Sequence, residues 1–305
     1  MKLNYHIHTK HSDGELSVSE IITLLAKEGV TSFAITDHDC IDGNYEAREF
    51  AEKNGMKYFN GIELSCCVDN DMNLPFSAYC HILGLGFEIA LMEKEIEAII
   101  QRRNAVLNDF ILRLQKDGYN ISPKEVYLSP EKWKDRTAIA RILMEKHDFE
   151  SVSDVFAKVI NTPQYAEYAN ISPSIQDAIK IIHRCKGIAI WGHPLEYTCG
   201  GKKEFSQEQV KKLLKKMIGY GLNGIEVFYQ RFSKDEILFL ETLAVENNLA
   251  MSIGTDFHRF IEETEDSPFK PQRLSFSNSE INPNTAICTL LELNEWYQKG
   301  CRRIK

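Results

Sequence analysis

Short apolar segments typical of β-strands alternate with amphipathic helical patterns in the first third of the chain and again in its last third. The strand-like segments cover residues 3–8, 31–37, 57–66, 78–86, 187–191, 224–228 and 250–255. The helical patterns between and after them cover residues 17–27, 42–54, 206–220, 234–247 and 284–298. Strands separated by helices build mostly parallel sheets, so about seven strands of this kind predict an α/β fold, either a barrel or an open sheet.

The middle third differs because its patterns are almost only helical from about residue 89 to 186. We expect a long, charged amphipathic helix at 91–116 and further helices at 136–146, 151–160 and 174–186. This loss of strand signals predicts a discontinuous domain of residues 1–89 and 187–305, with residues 90–186 inserted as a helical cap. The active sites of α/β barrels lie at the C-terminal ends of the strands, which is where we expect the cap.

Histidines and carboxylates stand in or just beyond the strand-like segments. His6 and His8 are two residues apart, which puts both side chains on one face of a strand. Asp256 and His258 repeat this spacing near the other end of the chain. The complete set of candidate metal ligands is His6, His8, Asp13, His38, Glu63, His81, His193, Asp256 and His258.

This set contains more ligands than the four that one zinc ion takes, so it suits two or three divalent ions. Glu63 lies inside an apolar strand and needs a compensating positive charge, which makes it the candidate bridge between ions. Clustered ions can activate water and hold both ends of a phosphoryl displacement. The alternative is that each histidine only satisfies hydrogen bonds at its own strand end, but six of the nine histidines of the chain occupy such positions. Mixed imidazole and carboxylate ligands accept Mn²⁺, Fe²⁺ or Zn²⁺.

Composition restricts the class of partner. A net charge of −8 argues against a protein that coats long nucleic acids, but it is compatible with a small phosphorylated substrate. The eight cysteines include no Cys-x-x-Cys pair, which indicates reduced thiols and a cytoplasmic protein. The N-terminus has no apolar signal-peptide core and no apolar run approaches membrane-spanning length, so we expect no membrane partner. The sequence leaves the oligomeric state open.

Six motifs in a fixed order carry a family resemblance. They are His6-x-His8 with Asp13, Thr36-Asp37-His38-Asp39, Gly61-Ile62-Glu63, His81-Ile82-Leu83-Gly84, Gly192-His193-Pro194 and Gly254-Thr255-Asp256-Phe257-His258. This order resembles the PHP family (polymerase and histidinol phosphatase). The resemblance implies a distorted seven-stranded β/α barrel with a trinuclear metal site, and hydrolysis of phosphate esters by a hydroxide that bridges the ions.

The same resemblance implies how the ligands divide. One ion would take His6, His8, Glu63 and Asp256, the second Glu63, His81 and His193, and the third Asp13, His38 and His258. We assign Asp13, Glu63 and His193 as the catalytic set.

The helical insertion between His81 and His193 resembles that of PHP phosphoesterases that act on nucleoside 3′,5′-bisphosphates or trim short RNA from its 5′ end. The segment Arg136 to Arg141 resembles their Arg-x-His-x-Ala-Arg motif, but Ala138 stands in place of the histidine.

Arginines of the insertion are the candidates for substrate binding. Arg102, Arg103 and Arg136 could bind substrate phosphate, because guanidinium groups match phosphate oxygens. The alternative for Arg102 and Arg103 is surface pairing with Glu93, Glu95 or Glu97. Two other functions stay open: a histidinol-phosphate or other small-molecule phosphatase, and a non-catalytic, metal-stabilised scaffold.

Overall fold

The fold is taken from a computed structural model of the chain. It describes residues 2–68, 79–129, 135–168, 171–198, 202–260 and 274–275. The helix expected at 284–298 lies outside the described residues. No helix of the described part is long and apolar enough to cross a membrane.

Nine strands form the sheet in the described part of the chain. They are β1 Lys2–Asn4, β2 Val30–Ile35, β3 Lys57–Cys67, β4 Tyr79–Leu85, β5 Ile188–Trp191, β6 Glu196–Thr198, β7 Lys202–Glu204, β8 Gly224–Tyr229 and β9 Ala250–Gly254. Seven of them follow the order β1-β2-β3-β4-β5-β8-β9, while β6 and β7 form a small hairpin beside β4. The predicted strands are therefore all present, and the β6–β7 hairpin is an addition that the sequence did not predict.

Most neighbouring strands are parallel, as expected, but β4 runs antiparallel to both β3 and β5. Hydrogen bonds between the segments that follow β1 and β9 join the two edges of the sheet. The amide of Tyr5 donates to the carbonyl of Ile253 (2.9 Å), and the amide of Asp256 donates to the carbonyl of His6 (2.8 Å). The sheet is thereby nearly closed, which confirms the distorted seven-stranded β/α barrel.

Among the residues that the structure describes, nine α-helices precede, follow or separate the strands. They are α1 Val18–Glu28, α2 Gly43–Lys53, α3 Ile89–Lys116, α4 Pro123–Leu128, α5 Arg136–Lys146, α6 Val152–Val155, α7 Ile175–Arg184, α8 Gln207–Gly219 and α9 Lys234–Glu246. A π-helical turn, Phe156–Ile160, continues α6. Local sequence explains several helix starts, because Ser17, Ser206 and Ser233 each form a capping box. The serine side chain accepts a hydrogen bond from the amide three positions later, and the serine amide donates to the side chain of that same residue.

Two apolar clusters divide the interior of the insertion from that of the barrel. The second half of α3, with Leu107 and Phe110, packs on α5 and the π-helical turn in one cluster. The first half of α3, with Met92 and Ile96, packs in the other cluster together with α7 and the barrel strands. Helix α3 therefore connects both cores, and among the described residues of the insertion no segment joins the sheet as a strand.

The first predicted strand needs a correction. The sequence predicted a strand over 3–8, but β1 ends at Asn4. The following segment has only isolated hydrogen-bonded contacts with its two neighbouring segments. Ile7 forms an isolated β-bridge with Phe257 on one side and accepts a hydrogen bond from the Thr36 amide (2.8 Å) on the other. His6 and His8 therefore lie beyond the strand end and not within the strand.

Candidate metal centre

All nine candidate ligands converge at one end of the barrel. Seven of them follow strands: His6, His8 and Asp13 come after β1, His38 after β2, His193 after β5, and Asp256 and His258 after β9. The other two, Glu63 and His81, lie within β3 and β4. Because β4 runs opposite to β3, the register sets Glu63 against Leu83 and brings His81 beside Ser65, on the same side as the cluster.

Four of these side chains form the most compact group. The Nε2 atom of His6 lies 3.1 Å from Glu63 Oε2 and 3.3 Å from Asp256 Oδ1, and the Nε2 atom of His8 lies 3.0 and 3.1 Å from the same two oxygens. Bonds of about 2.0–2.1 Å to one zinc ion would separate tetrahedral ligands by about 3.3 Å. His6 Nε2, His8 Nε2 and Glu63 Oε2 are buried and have no hydrogen-bond partner. These residues therefore fit a divalent ion.

The other oxygen of Glu63 faces a second group. Its Oε1 lies 2.8 Å from His81 Nδ1 and 3.3 Å from His193 Nε2, and the two imidazole nitrogens are 3.1 Å apart. One neutral imidazole can donate to the other across such a contact, and both can instead bind one cation through their lone pairs. The side chain of Glu63 is fully buried between the two groups, as expected for a shared ligand.

The third group is looser and more open. Asp13 Oδ1 lies 3.2 Å from His258 Nε2, and Asp13 Oδ2 lies 3.8 Å from His38 Nε2. The Asp13 side chain is 46% exposed, so this group faces the mouth of the barrel. His38 stands between groups, because its Nδ1 lies 3.2 Å from Glu63 Oε2. The sets His8–Asp13–His38–His258 and His38–Glu63–His81 each bring potential ligand atoms together.

The backbone is unusual at two of the ligands. His193 has a φ of +28° and Asp256 a φ of +50°. Non-glycine residues rarely occupy this left-handed region, and where they do the surrounding structure over-determines the conformation. At His193 that support is visible, since its amide donates to Glu226 Oε2 at 2.8 Å.

Glu226 is a site residue that sequence reasoning missed. It is fully buried in β8, and its Oε1 lies 3.0 Å from His6 Nδ1, the ring nitrogen that faces away from the ligand group. A carboxylate at this nitrogen fixes the tautomer and orientation of a ligand histidine. Glu226 therefore positions two ligands, His6 through its ring and His193 through its amide. The signal that could have found it is the one used for Glu63, an acidic residue within an apolar strand.

Tyr229 and Arg231 were also missed, whereas Asp37 belongs to one of the six motifs. Tyr229 Oη donates to Asp256 Oδ2 at 3.0 Å, and Arg231 Nη2 lies 3.2 Å from the same oxygen. Asp37 accepts hydrogen bonds from the amide and hydroxyl of Thr9, both at 2.7 Å. Asp37 thereby fixes the loop between His8 and Asp13.

The charges of the cluster compensate one another. Burial by itself raises the pKa of Glu63, but His6, His81 and His38 hold this pKa well below its usual range. Burial lowers the pKa of His8, yet the adjacent carboxylates of Asp256 and Glu63 raise it to about 10. His38 behaves differently, because burial dominates and lowers its pKa to about 4. The buried carboxylates are thus held as anions at neutral pH, the form that binds cations.

The arginines of the insertion lie apart from the nine ligands, and two of them are largely buried. Arg103 Nη2 pairs with Asp39 Oδ2 at 2.9 Å. Arg136 is only 7% exposed, and its Nη2 donates to Tyr79 Oη at 2.5 Å. Within the described part of the chain, Arg103 Nε and Arg136 Nη1 have no partner. Arg102 is exposed.

The surface pairing that we considered as an alternative does not occur at Glu93 or Glu95. Tyr45 donates to Glu93 at 2.5 Å, and Arg184 pairs with Glu95 at 2.8 Å. Arg103 instead connects α3 to Asp39, the residue that follows the ligand His38.

Comparison with known proteins agrees with this arrangement. A family model described as the PHP domain matches residues 4–226. The chain is 28% identical over 263 residues to a protein of Haemophilus influenzae named 5′-3′ exoribonuclease, covering 84% of this chain and 90% of that protein. It is 26% identical over 281 residues to a 3′,5′-nucleoside bisphosphate phosphatase of Chromobacterium violaceum, covering 87% of this chain and 92% of that protein.

A solved structure of an amidohydrolase from Chromobacterium violaceum with bound sulfate superimposes with a TM-score of 0.59. The two chains are 26% identical, and the match covers 85% of this chain and 88% of the other. Family model, curated relatives and solved structure thus agree over most of the sequence. The chain belongs to the PHP family.

Proposed function

We propose that this protein hydrolyses phosphate esters of small nucleotides, with nucleoside 3′,5′-bisphosphates or short 5′-phosphorylated oligonucleotides as its substrates. The chain is a metal-dependent phosphoesterase of the PHP family. The proposed nucleotide substrates are supported by relatives named 5′-3′ exoribonuclease and 3′,5′-nucleoside bisphosphate phosphatase.

The proposal assigns the nine ligands to two or three divalent ions. His6, His8, Glu63 and Asp256 would hold one ion, and Glu63, His81 and His193 a second. Asp13, His38 and His258 would hold a third. Bound ions supply positive charge that stabilises the reacting phosphate and lowers the pKa of water.

Within this assignment, the chain's own side chains keep the site ordered. Glu63, His193 and Asp13 form the proposed catalytic set, and Asp13 lies on the open side where substrate and water enter. Glu226 and Asp37 hold the surrounding segments in place through buried hydrogen bonds. Pre-ordered ligands need no rearrangement when substrate binds, which keeps the reacting groups aligned.

The observation that carries the nucleotide proposal is the position of Arg136. Arg136 is more than nine-tenths buried, yet its Nη1 has no hydrogen-bond partner among the residues that the structure describes. A buried cationic donor without a partner is costly, and an anionic ligand removes that cost. Because bound ions neutralise the reacting phosphate, an additional cation outside the ligand cluster is useful for a second anionic group. Nucleoside bisphosphates and 5′-phosphorylated oligonucleotides carry such a group.

The same reasoning gives the insertion a role. Arg102, Arg103 and Arg136 all come from residues 90–186, and Arg103 reaches Asp39 beside the ligand His38. We therefore propose that this segment is a substrate-binding cap on the barrel of residues 1–89 and 187–305.

The experiment measures release of inorganic phosphate from nucleoside 3′,5′-bisphosphates, 3′-monophosphates, histidinol phosphate and an aryl phosphate, with and without Mn²⁺. We expect Mn²⁺-dependent release that is fastest from the bisphosphates. Arg136→Ala should lower kcat/KM on bisphosphate by roughly ten- to a thousandfold more than on aryl phosphate, the range for losing one charge-assisted contact.

Each other outcome has a meaning. Equal losses on both substrates would show that Arg136 serves the fold or the reacting phosphate. Preference for histidinol phosphate would replace the nucleotide proposal, and no release from any substrate would favour a non-catalytic scaffold.

A further inference from the structure

Tyr79 shares the buried end of Arg136. Tyr79 opens β4, and its hydroxyl oxygen accepts a hydrogen bond from Arg136 Nη2. His81 follows two residues later on the same strand, so the two side chains project from one face, with their Cα atoms roughly 7 Å apart. Since His81 belongs to the ligand cluster, Tyr79 connects the cluster with the arginine of the insertion.

The hydroxyl of Tyr79 has an unused donor. A phenol both accepts and donates, and the bond from Arg136 uses only its acceptor function. Among the described residues, no acceptor lies within hydrogen-bond distance of this O–H group. A phenol has an ordinary pKa of about 10, so this group carries its proton at neutral pH. Arg136 Nη1, on the same guanidinium, is a second donor without a partner.

We propose that the Tyr79 hydroxyl and Arg136 Nη1 together bind the phosphate monoester that is not cleaved, which makes Tyr79 a specificity-determining residue. The inference rests on the proposed function and deepens it. One neutral donor and one charged donor side by side match two oxygens of a terminal phosphate. The anion also gives both donors an acceptor, which neither has among the described residues.

The test is equilibrium binding of adenosine 5′-monophosphate to the metal-loaded protein by calorimetry, with adenosine as the reference ligand. This nucleotide carries only the phosphate that the proposed site retains. Tyr79→Phe should weaken its binding by roughly ten- to a hundredfold, the range for a hydrogen bond to a charged group, and should not weaken that of adenosine. The control is Tyr45→Phe, because Tyr45 is 51% exposed and donates to Glu93 on the surface.

A second comparison separates direct contact from action through Arg136. In an Arg136→Lys background, Tyr79→Phe should still weaken binding, whereas no further loss would show that Tyr79 only orients the guanidinium and would overturn the proposal. Wild-type protein that binds the nucleotide no more tightly than adenosine would also overturn it. Loss of nucleotide binding in Tyr79→Phe without any bisphosphate hydrolysis by the wild type would leave this site standing and reject the proposed reaction.

Discussion

Two buried glutamates support the ligand cluster in different ways. Glu63 directs Oε2 at His6 and His8 and Oε1 at His81 and His193, so each oxygen serves a different group of ligands. Glu226 is not one of the candidate ligands. It contacts the Nδ1 atom of His6 and accepts a hydrogen bond from the amide of His193. The two carboxylates therefore differ in what their removal should do to the metal content.

Glutamine substitutions should reveal this difference. Glu63→Gln replaces a shared anionic ligand by a neutral amide, so we expect loss of bound metal that excess Mn²⁺ does not restore. Glu226→Gln keeps a hydrogen-bonding group beside His6, so metal affinity should fall by roughly ten- to a hundredfold, the usual range for such supporting partners. Elemental analysis after dialysis at graded Mn²⁺ concentrations measures both effects.

The contrast between the variants is the decisive part of that experiment. Wild-type metal content in Glu63→Gln would contradict its role as a shared ligand. Metal that stays absent from Glu226→Gln at saturating Mn²⁺ would contradict its role as a positioning residue.

That the candidate ligands lie close together was predictable from sequence, because each belongs to a short motif in or just beyond a strand. Glu226 carries the same signal as Glu63, an acidic residue within an apolar strand, but its partners His6 and His193 lie 220 and 33 residues away and no motif surrounds it. The donors of Arg136 and Tyr79 that have no acceptor among the described residues were hidden, since they depend on packing between the insertion and β4. Ala138 shows the same limit: it stands where the similar motif has a histidine, and only the structure shows that it lies buried in the apolar core of the insertion.

At the scale of elements, the sequence predicted where strands and helices occur but not their direction. Apolar periodicity is the same for a parallel and an antiparallel strand, so nothing in the residues of β4 announced that it runs against β3 and β5. The short β1 has a related cause. The amide of His8 donates to the carbonyl of Phe257, and the carbonyl of Ile7 accepts from the amide of Thr36. These hydrogen bonds to two separate segments replace a regular strand ladder.

Helix α3 offers a test of the separate core of the insertion. Leu107 is fully buried in that core, so Leu107→Ala should lower the free energy of unfolding by about 2–5 kcal/mol, the range for removing a packed leucine. Leu112 on the same helix is 57% exposed, and Leu112→Ala should change it by less than about 0.5 kcal/mol. Urea denaturation measures both values.

Metal content distinguishes local from global damage in this test. The Leu107 cluster does not include the ligands, so folded Leu107→Ala protein should retain wild-type metal stoichiometry. Equal costs for the two substitutions, or loss of metal from folded Leu107→Ala, would contradict an independent core in the insertion.

At the scale of the whole molecule, the chain is anionic, with a net charge of −8, and the three proposed substrate-binding arginines, Arg102, Arg103 and Arg136, all come from the insertion. Arg103 is already paired with Asp39, which reduces the charge that it can offer to a substrate. A nucleic acid should therefore meet only a few unpaired cationic side chains, those of the insertion.

This distribution predicts a weak salt dependence that does not grow with substrate length. Each single-strand phosphate that a protein neutralises contributes about −0.7 to the slope of log K against log salt concentration. With two or three arginines available, we expect a slope of about −1.4 to −2 for kcat/KM on 5′-phosphorylated RNA, at saturating Mn²⁺. The slope should be the same for oligonucleotides of about two and about ten residues, because the additional phosphates meet no further cationic contacts.

Two arginine variants calibrate this measurement. Arg102→Ala should make the slope shallower by up to about 0.7 if its exposed guanidinium reaches a phosphate. Arg184→Ala should leave the slope unchanged, because Arg184 pairs with Glu95 away from the ligands. A slope that steepens with length would reveal an extended nucleic-acid surface and contradict a site built for the end of a chain or for a single nucleotide. A flat slope in the wild type would instead indicate that the arginines do not contact the substrate, leaving its recognition to the metal centre.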